Sequence, residues 1–570
     1  MRNSKFIISC YRQMCFYMLL IFSYTTVSSQ KLPSPLDIPI ILSGNFGELR
    51  SNHFHSGIDF KTQGRIGLPI RAVKEAFVSR ISVSPRGYGR ALYLQHPDGT
   101  TSVYAHLNSF AAPIENFVRD SQYIKESFPV DLSLSEEIFH IKTGQIIGYG
   151  GNTGSSGGPH LHFEIRDTQT NEPIDPLPFF KTQIKDTRKP QIRAMMIYPQ
   201  EGKGIVNGKT EKQVLKISKD KAGKDTVQTP INAWGEIAMG IKAYDAMNDA
   251  TNIYGVRELS LSVDDKIVFH YILDRFSFAQ TRYLNSFVDW EEWILSRKFY
   301  MKSVIEPGNL LNCYVKKDAD SNNGIINIEE ERSYNFKYAL KDLYDNTSIL
   351  EFEVVGQKQD IPTFKPFGTY YAHSKDNITE RDGVKLSIPK GNLYTDIYFT
   401  YSMLKNYTPY SHLYKLHKRW PLHKDCPLEI TLCNDSFPDK EKYGITAIGE
   451  KKISWIGGVY QNGTIKTNIR ELGAYTVSID TTSPKILPIL PNKWAIEKKI
   501  SFKISDNLSG IAQWKGTLNG EFVLFEYDAK KALLFCEFDP KRMSIGKQKL
   551  ELHVFDACGN EQSYKANISW

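Results

Sequence analysis

After residue 30, no stretch of this 570-residue chain reaches the roughly 18 consecutive apolar residues that a membrane-spanning helix needs. Cysteine is scarce, with 7 in the whole chain at wide spacing, so the fold does not depend on a dense disulfide framework. There is no basic stripe with interleaved aromatic residues, which argues against nucleic-acid binding. The glycines between Gly144 and Gly158 are not followed by Lys-Ser/Thr, which excludes a simple phosphate-binding loop.

The composition is that of a folded, globular protein, with 41% hydrophobic and 12% aromatic residues. The length of 570 residues predicts three to five domains, each able to bury its own core. The formal net charge is +8, and three of the cations, at positions 2, 5 and 12, lie in a predicted leader without any acid. The remaining +5 is a mild basic excess that fits an anionic cell envelope.

Residues 1–29 are predicted to be a secretory signal peptide. Scattered cations precede an apolar core from Met14 to about Ile21, and small residues at Val27-Ser-Ser29 precede Gln30. The apolar core is too short for a spanning helix, although an uncleaved membrane anchor is the alternative. We therefore expect a protein that is secreted across the inner membrane and lies in the periplasm or cell envelope.

Five cysteines follow the leader: Cys313, Cys426, Cys433, Cys536 and Cys558. Cys426 could pair with Cys433, and Cys536 could pair with Cys558 across strands. Buried free thiols are the alternative, because a chain of this length does not need covalent cross-links to fold.

Two histidines share one face of a predicted strand. In His160-Leu-His-Phe-Glu164, apolar residues alternate with His160, His162 and Glu164, a period of two that predicts a strand with one apolar and one polar face. Both imidazoles therefore leave the same side, about 7 Å apart along the backbone. One can bind a metal ion while the other contacts a ligand on that ion.

His55 and Asp59 form a second candidate pair. Along a straight strand their side chains would lie roughly 13 Å apart, but Gly57 allows the backbone to turn or bulge so that they converge. His53 is a rival ligand, and the spacing to Asp59 favours His55. Two imidazoles and one carboxylate leave a fourth tetrahedral position for water, which is typical of catalytic rather than structural zinc.

These motifs resemble the lysostaphin-type zinc metallopeptidases, metallopeptidase family twenty-three, which cut peptide bonds in bacterial cell-wall peptidoglycan. The resemblance rests on four elements in order: His55 to Asp59, Tyr104-Ala-His106, the glycine-rich loop, and His160-Leu-His-Phe-Glu164. It covers roughly residues 38–168, about a quarter of the chain. The connection between His106 and Gly144 is longer than is usual in the family, so the shape of one groove wall is not implied.

The resemblance implies metal ligands at His55, Asp59 and His162, a Zn²⁺ cofactor, and catalytic roles for His106 and His160. It also implies an antiparallel-sheet peptidase domain of the duplicated hybrid motif type.

Two further segments bear on the predicted site. The glycine-rich turn is expected to bring Asn152 and Thr153 to the rim of the site, where they would contact substrate. The insert from about Ser109 to Lys142 has weak helical spacing and is interpreted as a surface loop, with a lid over the cleft as the alternative.

Each motif has a plainer explanation when it is taken alone. An H-x-H strand is more often a pair of solvated or hydrogen-bonded side chains, and H-x-x-x-D is common by chance. Tyr371-Ala-His373 repeats one triplet without a ligand pair around it, so we interpret it as structural. The ordered combination of motifs is what indicates a metal site.

Beyond residue 180 the sequence predicts β-domains. Asp186-Thr-Arg-Lys-Pro190 recurs as Asp480-Thr-Thr-Ser-Pro484, and Asp342-Leu-Tyr-Asp-Asn346 recurs as Asp556-Ala-Cys-Gly-Asn560, which indicates at least two related units. The last unit resembles the immunoglobulin-like modules of bacterial surface proteins.

The predicted fold class is therefore all-β, with β-sandwich domains after the peptidase domain. The predicted domains are a signal peptide at 1–29, a zinc endopeptidase domain at 30–180, a β-sandwich-like domain at 186–356 with an insert around 276–307, an unassigned β-rich domain at 357–479, and an immunoglobulin-like β-sandwich at 480–570.

The leading functional prediction is a zinc metalloendopeptidase that hydrolyses peptidoglycan peptides with a metal-activated water. Because the sequence has no H-E-x-x-H glutamate, His106 or His160 must accept the proton of the water, and the other must stabilise the oxyanion. The C-terminal β-domains would position the enzyme or bind an envelope protein partner.

One alternative is a non-catalytic envelope protein that uses the peptidase fold as a docking or regulatory module. Another is a glycan binder or adhesin, which depends on residues 186–570, where no aromatic platform can be assigned from the sequence.

Overall fold

Antiparallel β-sheets make up most of the regular secondary structure, as predicted for an all-β chain. The computed structural model describes residues 31–315 and 322–569, so the predicted signal peptide lies outside the described residues. Within those ranges, no helix is both long enough and apolar enough to cross a membrane.

The N-terminal region is built on one large sheet and one small sheet. Its elements are β1 (Leu42–Gly44), β2 (Leu49–Arg50), β3 (His53–Phe54), β4 (Ile58–Lys61), β5 (Pro69–Arg71), β6 (Ala76–Val83), β7 (Arg90–Gln95), β8 (Thr100–Leu107), β9 (Ser109–Phe110), α1 (Ala112–Ile124), β10 (Val130–Ser133), β11 (His140–Ile141), β12 (Ile146–Tyr149), β13 (His160–Asp167), β14 (Pro173–Ile174) and α2 (Leu177–Phe180). The large sheet has the order β1-β4-β13-β8-β7-β6-β10, and the small sheet has the order β5-β12-β9.

Strand β13 lies between β4 and β8, and this position determines where the site forms. Its register sets His162 opposite Asp59 of β4 on one side and opposite Ala105 of β8 on the other. The apolar residues Leu161 and Phe163, which the sequence predicts on the buried face, are both fully buried. The alternation read from the sequence is therefore confirmed.

The insert folds into helix α1 and strand β10. Pro113 lies in the first turn, where its missing N–H costs no helical hydrogen bond. Ile114 and Val118 are buried against the core, as their helical spacing indicates.

The second region contains a ten-stranded sheet. Its elements are β15 (Gln191–Val206), β16 (Gln213–Lys219), β17 (Asp225–Val227), β18 (Asn232–Tyr244), β19 (Glu258–Val263), β20 (Lys266–Ile272), a 3₁₀ helix (Thr281–Tyr283), α3 (Leu284–Phe287), α4 (Trp290–Ser296), β21 (Met301–Lys302), a 3₁₀ helix (Asn322–Gly324), β22 (Ile326–Ile328), β23 (Ser333–Lys341) and β24 (Thr347–Gly356). Buried apolar residues from Leu32 to Val354 form one contiguous core. The predicted boundary near residue 180 stays a prediction, since the core is continuous across it.

The third region forms an eight-stranded sheet and a two-stranded sheet around its own core. Its elements are β25 (Thr369–Tyr371), β26 (Asn377–Arg381), β27 (Val384–Ile388), β28 (Ile397–Phe399), β29 (Tyr401–Leu404), β30 (Leu413–Thr431), a 3₁₀ helix (Lys440–Lys442), β31 (Tyr443–Ile448), β32 (Ile453–Gly457), β33 (Val459–Gln461) and β34 (Thr464–Ile479).

The C-terminal region has two four-stranded antiparallel sheets, β35-β36-β40-β39 and β38-β37-β41-β42, around a third core. Its elements are β35 (Lys485–Pro488), a 3₁₀ helix (Pro491–Lys493), α5 (Trp494–Glu497), β36 (Lys499–Ser505), β37 (Ile511–Leu518), β38 (Glu521–Val523), β39 (Glu526–Asp528), β40 (Leu533–Glu537), β41 (Lys547–Asp556) and β42 (Glu561–Ser569). This arrangement is a β-sandwich, as predicted.

The repeated segments found in the sequence make equivalent hydrogen bonds in the structure. Asn346 donates its amide N–H to the carbonyl of Asp186 at 3.3 Å, and Asn560 does the same to the carbonyl of Asp480 at 3.0 Å. Each asparagine also bonds the aspartate four residues before it at 2.7 Å. In each copy, a hydrogen bond therefore connects the second repeated segment to the first.

All five cysteines of the described residues are free thiols, so neither pairing considered from the sequence forms. Cys433 is exposed and the other four are buried.

Candidate metal centre

An open groove of about 620 Å³ lies where β4, β8 and β13 meet. It is lined by all five predicted metal and catalytic residues, namely His55, Asp59, His106, His160 and His162. These residues are far apart in sequence, and the register of the large sheet brings them together.

Three donor atoms converge on one point in the floor of the groove. Asp59 Oδ1 lies 3.1 Å from His55 Nε2 and 2.9 Å from His162 Nδ1, and the two nitrogens are 3.0 Å apart. In a tetrahedral zinc site with bonds of about 2.0–2.2 Å, the donor atoms lie about 3.3–3.5 Å apart. The three atoms are therefore close to the spacing at which they could share one Zn²⁺ ion, and the N,N,O donor set suits that metal.

Gly57 permits this convergence by a close approach rather than by an unusual backbone angle. A Cβ atom at position 57 would lie 2.2 Å from the carbonyl oxygen of Phe163 in β13. Only glycine lets the segment from His55 to Asp59 lie so close to β13. The sequence predicted a turn at this glycine, the backbone bends there, and the close approach to β13 is a further physical reason for glycine.

Hydrogen bonds to the outer ring nitrogens orient the two imidazoles. His55 Nδ1 lies 2.7 Å from the carbonyl oxygen of Asn45, which leaves Nε2 as the donor toward a metal. His162 Nε2 lies 2.8 Å from Glu164 Oε1, which leaves Nδ1 as its donor. A carboxylate behind a ligating histidine is a common device that fixes the tautomer and orientation of the ring.

Glu164 is the functional residue that sequence reasoning did not assign. It is fully buried and accepts hydrogen bonds from Tyr88 at 2.6 Å, Ser56 at 2.5 Å and Arg166 at 2.6 Å. The signal was present, because the period of two places Glu164 on the same face as His162. Arg166 lies on the same strand, but Tyr88 and Ser56 come from elsewhere in the chain and could not be read from this strand.

Hydrogen bonds and charges within the site shift the pKa values of Asp59 and His162. Burial opposes ionisation of Asp59, but His55 and hydrogen bonds from His160 and His162 hold its pKa well below the usual range. Burial alone would lower the pKa of His162, whereas hydrogen bonds to Asp59 and Glu164 raise it to about 9. A metal ion bound here would replace the proton on His162, so binding would release a proton.

His106 and His160 face each other beside this cluster, with ring centroids 4.8 Å apart. His106 Nδ1 lies 2.9 Å from the carbonyl oxygen of Thr153, and His160 Nδ1 lies 2.8 Å from that of Gly158. Nε2 of His106 is therefore left for other partners, whereas Nε2 of His160 lies 3.5 Å from Asp59 Oδ1. Burial, followed by the nearby His162 and His160, lowers the pKa of His106 to about 3, so this ring is neutral at neutral pH.

The glycine-rich loop supports the site from behind. Thr153 Oγ1 donates to the carbonyl of Leu107 at 2.8 Å, and neither Asn152 nor Thr153 is among the residues that line the groove. The rim is formed instead by Ser155, Ser156 and Gly157. The predicted substrate contacts of Asn152 and Thr153 stay predictions, and the structure gives Thr153 a second role as the hydrogen-bond partner of His106.

The opposite wall of the groove comes from the second region, which the sequence did not indicate. Phe278 and Thr281 line it, and Thr281 Oγ1 accepts a hydrogen bond from the backbone N–H of Phe54 at 2.9 Å. No residue of the insert from 109 to 142 lines the groove, which argues against a lid.

The remaining histidines of interest lie outside the ligand cluster. His53 is exposed at the groove edge, with Nδ1 2.8 Å from the carbonyl oxygen of Ser51. His373 pairs with Asp396 at 2.7 Å in the third region, in keeping with a structural role.

Two family models match the chain. The Peptidase family M23 model matches residues 53–129 and 131–176, and the Zu5-like domain model matches residues 368–480, the region that could not be assigned from sequence.

Among curated proteins, the chain is 29% identical over 129 residues to DD-carboxypeptidase/endopeptidase Mpg of Neisseria meningitidis serogroup B, which covers 23% of each chain. It is also 29% identical over 131 residues to lysostaphin of Staphylococcus simulans, which covers 22% of each chain. The chain thus matches about a quarter of the length of these relatives.

Among solved structures, the catalytic domain of lysostaphin from Staphylococcus simulans is 26% identical. The likeness covers 25% of this chain and 92% of that chain, with a TM-score of 0.19.

Proposed function

We propose that this chain, which carries a lysostaphin-type Peptidase family M23 domain, is a zinc-dependent metalloendopeptidase that hydrolyses peptide bonds in cell-wall peptidoglycan. The observation that carries the proposal is the convergence of His55 Nε2, Asp59 Oδ1 and His162 Nδ1 to within 3.1 Å of one another in an open groove. The similarity of this domain to two named peptidases supports it.

His55, Asp59 and His162 would hold the ion, and Glu164 would keep His162 in the ligating orientation. When bound, Zn²⁺ would supply a water with a pKa near 7 and a Lewis acid for the scissile carbonyl. His106 and His160 keep their Nδ1 atoms on backbone carbonyls, so in that tautomer Nε2 of each ring is the atom that can accept a proton. One ring would take the proton of the attacking water on its Nε2, and the other ring would donate to the oxyanion from an Nε2 that has taken up a proton from solvent.

The open groove suits a peptide that belongs to a larger mesh, because the substrate can enter from the side. The predicted location in the periplasm or cell envelope agrees with such a substrate. The β-regions after residue 186 would position the enzyme or bind an envelope protein partner.

The alternative of a non-catalytic docking module is less well supported. A docking surface needs none of the metal-binding or catalytic side chains, yet all five predicted residues are retained and line one groove.

The test compares His162→Ala with His140→Ala, which alters an exposed histidine in β11 of the same region. We expect His162→Ala to lose bound zinc and to reduce cleavage of purified muropeptides below detection, while His140→Ala retains both. Metal content is measured by mass spectrometry, and the released fragments are identified by their masses. Full cleavage by the zinc-free protein would refute the proposal.

A further inference from the structure

The C-terminal β-sandwich contacts the glycine-rich loop beside the groove. Lys530 lies in the turn between β39 and β40, and its Nζ donates a hydrogen bond to the backbone carbonyl of Asn152. Asp528 Oδ1 accepts the backbone N–H groups of Lys530 at 3.1 Å and of Lys531 at 3.3 Å, which fixes the shape of this turn. A residue 378 positions later in the chain therefore holds the loop directly.

Asn152 directly precedes the residue that orients His106. The carbonyl oxygen of Thr153 lies 2.9 Å from His106 Nδ1. Because a carbonyl oxygen can only accept a hydrogen bond, this contact needs the proton on Nδ1 and leaves the lone pair on Nε2. The position of the Thr153 carbonyl therefore determines which nitrogen of His106 can act as a base.

Thr153 is also fixed by a residue that pairs with the sandwich. Its Oγ1 accepts a hydrogen bond from the backbone N–H of Arg90 at 3.0 Å. The side chain of Arg90 is buried, and its guanidinium lies 3.0 Å from the carboxylate of Glu526 in β39. The sandwich thus contacts Asn152 directly through Lys530 and supports Thr153 through Arg90.

The backbone of His106 is strained and needs this support. Its φ angle is +61°, in the left-handed region that residues with a Cβ atom rarely adopt. Such a conformation persists only where the surrounding structure holds it. The His106 N–H donates to the carbonyl of Tyr88 at 2.9 Å, and the Thr153 N–H donates to the carbonyl of His106 at 3.4 Å. The loop therefore holds both the backbone and the ring of His106.

Aromatic contacts hold the sandwich against the N-terminal region near this turn. The rings of Phe128 and Trp514 have centroids 6.4 Å apart. Trp514 Nε1 donates to the carbonyl of Phe525, the residue before β39, at 2.9 Å. The β39–β40 turn therefore belongs to the same packed interface, which keeps Lys530 within reach of the loop.

We propose that Lys530 is a positioning residue of the catalytic centre. By holding the carbonyl of Asn152, it keeps the adjoining Thr153 carbonyl on Nδ1 of His106 and so keeps Nε2 free to accept a proton. The sandwich is then a working part of the site, in addition to any role in binding a partner. This inference rests on the proposed peptidase function, in which His106 acts on the attacking water or the oxyanion.

The kinetic test replaces Lys530 in the full, zinc-loaded chain. Lys530→Met keeps most of the side-chain stem but removes the ammonium donor. We expect kcat for cleavage of purified muropeptides to fall about 10–100-fold, because a small displacement of a catalytic group has a large cost. KM and zinc affinity should be unchanged, since Lys530 touches neither the ligands nor the groove lining. Lys530→Arg restores N–H donors and should recover most of the lost kcat.

Lys531→Met is the matched control, because Lys531 lies in the same turn but pairs with Asp528 at 3.6 Å. It should keep the kcat of the wild type. Thermal unfolding of each variant is measured alongside, and Lys530→Gln is made in parallel to decide if Lys530→Met does not fold.

A second readout does not require catalysis. NMR of the labelled ring nitrogens of histidine reports the tautomer of His106, whose signal is identified by its loss in His106→Asn. We expect the Nδ1–H form in the wild type and in Lys531→Met, and a mixture of both tautomers in Lys530→Met.

Two results would overturn the inference. In the first, Lys530→Met matches Lys531→Met in kcat and in the tautomer of His106. In the second, Lys530→Met loses zinc affinity and thermal stability together with kcat, which would indicate a general structural role. A wild-type chain that cleaves no muropeptide would refute the proposed function instead, and the tautomer comparison would still decide whether Lys530 positions His106.

Discussion

Glu164 orients the His162 ring in the groove, because its carboxylate accepts a hydrogen bond from Nε2 of His162. The Glu164→Gln substitution keeps the shape of the side chain but removes the charge that holds the imidazole tautomer and raises its basicity. We predict that it lowers zinc affinity by about 10–100-fold. Competition with a chelator of known affinity measures the change.

The matched control is Glu136→Gln, an exposed position in the same region, which should leave zinc affinity unchanged. Equal affinities for Glu164→Gln and the wild type would show that Glu164 serves packing rather than the metal.

Gly57 is predicted to tolerate no side chain. The Gly57→Ala substitution places a methyl group 2.2 Å from the carbonyl oxygen of Phe163, so the chain must shift away from β13. We expect a loss of about 1–3 kcal/mol in the free energy of unfolding, which is typical of overpacking, and weaker zinc binding because His55 and Asp59 move. Chemical denaturation measures the first effect, and chelator competition measures the second.

Gly157→Ala is the control, since its Cβ would meet no atom within 4 Å and its backbone needs no left-handed angle. A Gly57→Ala protein as stable as Gly157→Ala would contradict the close approach.

At the residue scale, local spacing was enough to find the residues that converge but not those that support them. The period of two and the glycine between His55 and Asp59 pointed to both pairs, and the family resemblance selected His162 rather than His160 as the third ligand. Sequence reasoning missed Phe278 and Thr281, because local sequence does not show which distant residues form the other wall of the groove. The close approach of Gly57 to β13 could not be read from the sequence, because it depends on sheet register.

At the scale of elements, helix α1 is held between the core and the C-terminal sandwich. Its buried face carries the residues that its helical spacing predicted, while Tyr123 packs against Phe522 of the sandwich with ring centroids 5.4 Å apart. The spacing of apolar residues indicated a weak helix, but we interpreted the insert as a surface loop, with a lid as the alternative. The outer face could not be assigned, because its partner lies some 400 residues later in the chain.

The contact between α1 and the sandwich is centred on Glu526. Its carboxylate lies 3.0 Å from the buried guanidinium of Arg90 and 3.5 Å from that of Arg119 on α1. In Glu526→Gln both cations lose a charged partner, although Arg90 keeps Glu115 at 3.2 Å. We predict a loss of about 1–3 kcal/mol in stability and faster amide hydrogen exchange in α1, measured by mass spectrometry.

Glu521→Gln changes an exposed glutamate of the same sandwich and should leave exchange in α1 unaltered. Equal exchange rates in both variants would mean that the apolar contacts alone hold the helix.

At the scale of the whole molecule, the groove depends on how regions pack together, because Phe278 and Thr281 of the second region form one of its walls. Tyr283 of the second region stacks on His423 of the third region with ring centroids 3.9 Å apart. Arg282 donates to the carbonyl of Leu422 at 3.0 Å. Arg282 and Tyr283 directly follow Thr281 of the groove wall, so loosening these contacts should also affect the groove.

His423 makes this contact sensitive to acid. Burial, followed by the nearby Lys424 and Arg282, lowers the pKa of His423 to about 4 from an ordinary value of 6.5. Between pH 6.5 and 4 the unfolded chain therefore takes up a proton that the folded protein does not. The contribution of this residue is complete above about pH 6.5, and it declines as the pH falls toward 4.

His423→Phe keeps a ring to stack on Tyr283 but cannot take up a proton. We predict that its melting temperature falls less than that of the wild type between pH 7.5 and pH 4.5, as measured by calorimetry. His140→Phe, at an exposed position, should follow the wild type across the same range. If His423→Phe and His140→Phe lose stability in parallel, the acid sensitivity resides elsewhere, and the contact between these regions does not depend on a neutral His423.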